Sequence, residues 1–413
     1  MSDHNIHRFS TGRTEFSGQP EASEPEVWLR LERYATEVRR SSPGRGKPVL
    51  LLHGASANSG TFKVGNPGLA PWLYGKGFDP WMLDWRGSSL VVGARENELS
   101  LRDQPDIYNF NRAASEDLPV AIGKMRLLGV EGPISLLGHC MGSAVIAEAV
   151  ALGHVDAANV DRIVLIALGL FYEAPVDSRL KSEERILEHL TQAIGSDCVL
   201  SLDPSIGEDG KLMHDWPEEL KNLYNAWPEA LRSHPEEPGA QQTDPVHAMC
   251  NRLSFMYGMP YHHKNLVKVI HDHSKPELPN QFGAIPLRMY LHAARNLRRG
   301  HATFFAEDTS SSRHNEFVSD EARARFHRLE RVTLMTGALN RLWHRDSVDR
   351  MYEWLCRGPS RSLPRFHKHI VLNYAHQDLL WGECSPGEVY PEIAAGLERG
   401  EPPDPPSRIA SAD

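Results

Sequence analysis

Apolar residues along this chain gather in short unbroken runs, separated by stretches in which they recur every three or four positions. The runs are KPVLLLHG, FDPWMLDWRG, PISLLGHC, RIVLIALG, RVTLMTGALN and HIVLNYAHQD. Near-continuous apolarity of this kind marks strands covered on both faces. An earlier segment, EVWLRLERY, places Val27, Leu29 and Leu31 at alternate positions and predicts an edge strand. Between the runs, DLPVAIGKMRLL brings Leu118, Ala121, Ile122, Met125 and Leu128 to helical spacing. Pro119 fits there because it falls in the first turn, behind Asp117. Strands alternating with helices predict an α/β architecture, a mostly parallel central sheet flanked by helices.

The strand pattern stops over residues 171–330, far longer than an ordinary connection. This segment is expected to be a large, mainly helical lid or cap insertion. SEERILEHLTQAI, PEELKNLYNAW and IPLRMYLHAARNL supply its helical spacing. Trp216, Tyr224, Trp227, Phe255, Tyr257, Tyr261, Phe282, Tyr290, Phe304 and Phe305 supply either its own core or the lining of an apolar acyl pocket. The sheet domain is thus expected in two parts, 26–170 and 331–400, with loose polar tails at 1–25 and 401–413.

Composition narrows the function. The net charge is −9 with both signs dispersed, which excludes the basic stripe that nucleic acid requires. No apolar stretch is long enough to span a bilayer, no basic amphipathic helix argues for stable membrane attachment, and the opening residues lack a secretory-signal pattern. Five scattered cysteines (Cys140, Cys198, Cys250, Cys356, Cys384) form neither a disulfide framework nor a zinc motif, and fit a reducing cytoplasm. His262, His263, His271 and His273, near Asp272, match no zinc spacing and are expected to be solvent-facing or capping residues of the insertion. No cofactor or metal is expected. Asp84, Trp85 and Arg86 of DWRGSS are expected to fix the loop after a core strand.

LLGHCMGSA carries the chemistry. It lies between an apolar strand and a small-residue helix, the setting of a nucleophile elbow. Such a turn forces its central residue to positive φ and crowds neighbouring backbones, so Gly138 and Gly142 stand where only tiny residues fit. Cys140 is therefore the candidate nucleophile, and its place at a helix N-terminus is expected to lower its thiol pKa. His376, in the loop after the last apolar run, is the candidate base. In LLLHGASANSG, His53 and Gly54 end the first buried strand, and the Ala55 amide is expected to form an oxyanion hole with that of Met141.

LLHGASANSGTF, GFDPWMLDWRGSS, DLPVAI, LLGHCMGSA, TGALNRLW and NYAHQDLLWG together resemble the α/β-hydrolase fold over about 48–170 and 331–395. They are similar in particular to its acid-lipase-like branch and to hydrolase-like domains fused to GMC-type oxidoreductases. The cysteine elbow also resembles that of polyhydroxyalkanoate synthases, which carry acyl chains as thioesters. Ser143 stands where those synthases usually show a second glycine, and QDLLWG after His376 is lipase-like. Asn340 stands where the family usually has the aspartate that completes the triad. Asn340 is ranked first as the orienter of His376, in a thiolate–imidazolium pair of the Cys-His-Asn type, ahead of Asp346 and Asp378.

Three functions follow from this reading. The first is an ester or thioester hydrolase acting through an acyl-cysteine on a small-molecule substrate with an apolar acyl group. The second is an acyl transferase using the same intermediate, and the third is a non-catalytic binding module partnering an oxidoreductase.

Overall fold

The computed structural model describes residues 5–11, 26–35, 46–194, 199–201, 217–226, 251–253, 255–257, 280–308, 310–357 and 365–398. Eight strands form one sheet: β1 (Ile6–Ser10), β2 (Trp28–Arg33), β3 (Lys47–Leu52), β4 (Phe78–Asp84), β5 (Ile134–His139), β6 (Val160–Ile166), β9 (Arg331–Gly337) and β10 (Phe366–Val371). The order across the sheet is β1-β2-β4-β3-β5-β6-β9-β10. From β4 to β10 every pairing is parallel, whereas β1–β2 and β2–β4 are antiparallel. Strands β4, β5, β6 and β9 are buried at every position, as their unbroken apolar runs require.

Three expectations change at the sheet margins. Ile6–Ser10, placed in the N-terminal tail by its polar composition, is a strand that pairs with β2 from Ile6↔Glu32 to Ser10↔Trp28. EVWLRLERY is therefore the second strand and not the edge, with β1 covering it. At the opposite margin β10 begins at Phe366 and ends at Val371, so LNYAHQ is turn and loop before the short helix Asp378–Trp381, and Leu372 is 72% exposed. An edge strand has one neighbour and needs less apolar surface, which is why β10 is only half-buried. Residues 401–413, the four insertion histidines with Asp272, and Trp216, Trp227 and Tyr261 lie outside the described residues.

Helices cover both faces of the sheet. DLPVAIGKMRLL forms the helix Leu118–Leu127, with Leu118, Ala121, Ile122 and Met125 buried. It continues a turn of π-helix, Ala113–Asp117, whose wider winding accommodates Pro119, a residue without an N–H. Asp117 caps nothing. Its carboxylate instead holds the fully buried guanidinium of Arg86, accepting from Nε at 3.0 Å, from Nη2 at 2.7 Å and from the Arg86 amide at 2.8 Å. Nη1 donates to the Ile107 carbonyl at 2.6 Å, so Arg86 joins the end of β4 to the helical layer.

Between β6 and β9 come the helices Val176–Glu183, Ile186–Ile194, Glu218–Ala226 and Leu287–Arg299, and a short antiparallel pair, β7 (Val199–Ser201) with β8 (Ala284–Pro286). The expected helix at SEERILEHLTQAI breaks at Arg185, whose φ is 51°. Among the described residues no helix is long and apolar enough to cross a membrane.

The elbow helix, Met141–Leu152, is buried almost throughout and carries one carboxyl, Glu148. Its Oε2 accepts from Asn111 Nδ2 at 2.8 Å while Oε1 has no partner. Burial pushes this carboxyl up to about 8, with Asn111 offsetting part of the rise.

Three variants test this packing. Asp117→Ala leaves Arg86 buried without its main counter-charge and is expected to cost about 3 kcal/mol in chemical denaturation. Asp346→Ala, at an exposed ion pair, is expected to cost less than about 1 kcal/mol. Because Glu148 keeps its proton in the folded chain up to about pH 8, while an unfolded glutamate loses it near about 4.3, stability falls as pH rises between those values. Glu148→Gln is expected to flatten that fall in melting curves taken from pH 5 to 9.

Candidate functional site

Cys140 sits between β5 and the helix Met141–Leu152 with φ 56° and ψ −124°, a conformation costing about 1–3 kcal/mol for a residue with a side chain. The surroundings hold it there. Its amide donates to the Ile166 carbonyl at 2.9 Å, and the Ser143 hydroxyl bridges the carbonyl and amide of the same residue on β6 at 3.0 and 2.9 Å. A Cβ on Gly138 would stand 2.5 Å from the Ser143 backbone, and one on Gly142 would stand 2.3 Å from the Leu52 carbonyl oxygen. Both glycines are therefore required for the turn to close against β3.

That closure brings Cys140 close to the segment after β3. A Cβ on Gly54 would lie 3.1 Å from that of Cys140, and Ala55, Cys140 and Met141 line the same cavity. Ser56, at φ 59°, is held by its amide on the Gly87 carbonyl at 3.0 Å and by its hydroxyl on Tyr257 Oη at 2.7 Å. Tyr290 donates to the same Tyr257 oxygen at 3.1 Å. The insertion thus reaches down to fasten the loop that carries the Ala55 amide.

The cavity has a volume of about 120 Å³. Its floor is the elbow with Phe110, Leu342 and Trp343, and its walls are Leu187, Leu190, Leu220, Leu223, Phe255 and Met289 of the insertion. Ser178, Lys181 and Ser182 add a polar margin. Of the insertion aromatics, Phe255, Tyr257 and Tyr290 line this space. Tyr224 packs against Phe255, while Phe304 and Phe305 pack against Phe317 and His292 away from it.

His376 lies on the other side of the sulphur. A smaller void, about 20 Å³, is bordered by Cys140, Gly54, Ala55, His139, Phe282 and His376. The histidine follows β10 in a loop pinned by Gln377 Nε2 on Thr61 Oγ1 (3.3 Å) and Trp381 Nε1 on the Thr61 carbonyl (2.9 Å). His139, the elbow residue before Cys140, packs its ring 4.8 Å from that of His376 and donates from Nε2 to the His376 carbonyl at 3.2 Å. Burial drives both imidazoles toward the neutral form, His139 to about 4 and His376 well below its ordinary value. No reading of the sequence gave His139 a role, although its position inside the elbow was the signal.

The protonation state departs from expectation. Burial pushes the Cys140 thiol up to about 12, and the Trp343 indole and Met141 amide, which favour the thiolate, only moderate the rise. The helix N-terminus does not win, because Cys140 is only 7% exposed and burial is the largest influence on its thiol. Both shifts run against the expected thiolate–imidazolium pair.

The three candidates for the third residue separate clearly. Asn340 is buried, but its Oδ1 accepts from the Leu342 and Trp343 amides at 3.1 and 3.3 Å, and its Nδ2 donates to Thr336 Oγ1 at 3.2 Å. These bonds fold the 340–343 turn, and none of them reaches His376. Asp346 is exposed and pairs with His344 at 3.1 Å. Asp378 is buried on the His376 loop itself, where Oδ2 accepts from the Ala375 amide at 2.9 Å.

Asp84 and Arg86 have structural partners, as expected. Asp84 accepts from the Ser59 amide at 2.7 Å, Ser88 Oγ at 2.8 Å and Arg30 Nη1 at 2.6 Å. Although burial acts upward on it, His53 and Arg30 hold its carboxyl well below the usual range.

No curated protein matches the chain. Among solved structures, an acetylester hydrolase from Corynebacterium glutamicum aligns with TM-score 0.51 at 13% identity, covering 95% of this chain and 94% of that one. A monoacylglycerol lipase from Paleococcus ferrophilus aligns with TM-score 0.47 at 14% identity, over 89% and 98%. A thermophilic esterase from Thermogutta terrifontis gives 0.47 at 14%, over 95% and 98%. At such identities the first likeness speaks to fold alone. The sequence signature described as the alpha/beta hydrolase family matches residues 49–399, most of the chain, and with the parallel sheet and the strained turn after β5 in place, the chain belongs to that family.

Proposed function

We propose that this protein is an ester or thioester hydrolase that works through an acyl-cysteine intermediate on a substrate with an apolar acyl group. The observation that carries the reading is the position of Cys140, strained at φ 56°, on the wall between an apolar cavity and the void that His376 borders. The acyl chain occupies the cavity, and the carbonyl carbon meets the sulphur. As the C–S bond forms, the thiol proton passes to His376, and the Ala55 and Met141 amides receive the developing oxyanion. The leaving alcohol or thiol takes that proton when the carbonyl re-forms. Water then attacks the thioester with His376 as base, and the sulphur departs. His376 acts here as a general base on a neutral thiol, with Asp378 holding its loop and Asn340 outside the relay. Both the lipase-like segments and the resemblance to acyl-carrying cysteine elbows support this route.

The slight exposure of Cys140 and the apolar cavity walls also favour acyl transfer, since both limit water at the thioester. Product analysis with and without an added alcohol separates the two readings.

Brief exposure to a short-chain p-nitrophenyl ester, or separately to an acyl-CoA, is expected to add one acyl group to the intact mass of the wild type and none to Cys140→Ala. His376→Ala is expected to slow acylation by about 10²–10⁴-fold, while Asp346→Ala leaves the rate unchanged. Absence of adduct and of turnover with both donors would transfer the assignment to a binding module. Iodoacetamide labelling followed by peptide mass is expected to modify the exposed Cys384 at pH 8 and to spare Cys140, whose rate climbs with pH toward about 12. A Cys140 rate already level between pH 5 and 8 would restore the thiolate–imidazolium pair.

A further inference from the structure

We infer that the indole N–H of Trp343 is a catalytic hydrogen-bond donor to the Cys140 sulphur whenever that sulphur carries charge, and that Asn340 is the residue that positions it. This rests on Cys140 being the nucleophile. Trp343 is 8% exposed and its Nε1 is fully buried with no hydrogen-bond acceptor, a costly arrangement for a polar group. It lines the same cavity as Cys140 and Met141. The sulphur is the group its N–H favours in ionised form. A buried donor without an acceptor at rest, beside an atom that becomes anionic during reaction, is preorganised for the charged state.

The surroundings fix the ring in that attitude. Tyr172 meets it edge-on, with ring centroids 5.3 Å apart at 86°. The backbone beneath it is folded by the bonds from the Leu342 and Trp343 amides to Asn340 Oδ1. An asparagine side chain folding its own following residues is a common turn device. In this chain those bonds fold the turn that carries the indole, and none of them reaches His376.

Charge appears on the sulphur at two moments. In acylation the S–H bond breaks toward His376 while the C–S bond is still forming, and in deacylation the C–S bond breaks and the electron pair returns to sulphur. Between them the sulphur is a neutral thioester atom. A donor at Trp343 is therefore strongest on the way in and on the way out, which is differential stabilisation of the kind that raises turnover. With the thiol raised by burial, a neutral donor lowers the ionisation cost without adding a buried charge.

The test is the pH dependence of Cys140 alkylation by iodoacetamide, followed on the Cys140 peptide in the full chain, for wild type, Trp343→Phe and Asn340→Ala. Trp343→Phe keeps an aromatic ring and removes the N–H. At each pH below the plateau its alkylation is expected to fall roughly tenfold, one hydrogen bond's worth of ionisation. Asn340→Ala is expected to shift the profile the same way by a smaller factor. With p-nitrophenyl ester, kcat is expected to fall while KM stays near the wild-type value. Alkylation profiles that superimpose on the wild type, in variants with wild-type circular dichroism, would overturn the inference. If Trp343→Phe does not fold, Asn340→Ala carries the decision by the same criterion. Turnover by Cys140→Ala would sink the acyl-cysteine reading on its own, whereas the alkylation profiles need no substrate.

Discussion

The close approach of the Cys140 turn to the end of β3 is the constraint on which the candidate site depends. Gly142 lies so near the Leu52 and His53 carbonyl oxygens that a single added carbon would overlap them at 2.3 and 2.6 Å. Because β3 and β5 are adjacent parallel strands, with Leu52 level with Gly138, this contact aligns the residues leaving both strands. Gly54 and Ala55 leave one, and Cys140 and Met141 leave the other. The strain at Cys140 is the cost of that alignment, and the bonds of Ser143 to β6 help sustain it.

Burial then governs the chemistry. The sulphur, His376 and His139 lie in low-dielectric surroundings that disfavour every charged form, and the same physics keeps Glu148 protonated on the elbow helix. Charge survives where partners enclose it, as with Asp84 beside Arg30 and Arg86 beside Asp117. The interior thus divides into a scaffold of paired ions under the sheet loops and a region beneath the insertion where burial works against charge.

The insertion does more than roof the cavity. Tyr257 reaches the Ala55–Ser56 loop and Tyr290 supports Tyr257, so an element remote in sequence helps set the loop beside Cys140. An acyl group entering between the helices Ile186–Ile194 and Leu287–Arg299 would touch the walls and the machinery together.

Much of this was written in local sequence. Unbroken apolar runs specified the buried strands because a strand covered on both faces has no position for a polar side chain. The glycine spacing around Cys140 specified the elbow because the backbone there has no room for a Cβ. The position of His376 after the last run followed from the order in which such folds bring their residues together. What local sequence could not decide depended on neighbours distant along the chain. The polar Ile6–Ser10 became a strand because β2 offered it an unpaired edge. Burial pushes the thiol up because the insertion and the core close over it, and dielectric surroundings are a property of the packed whole. Asn340, equally suited by composition to orient a histidine or to fold a turn, took the turn, because the Leu342 and Trp343 amides lie within its reach and a hydrogen bond forms only with what tertiary structure brings near.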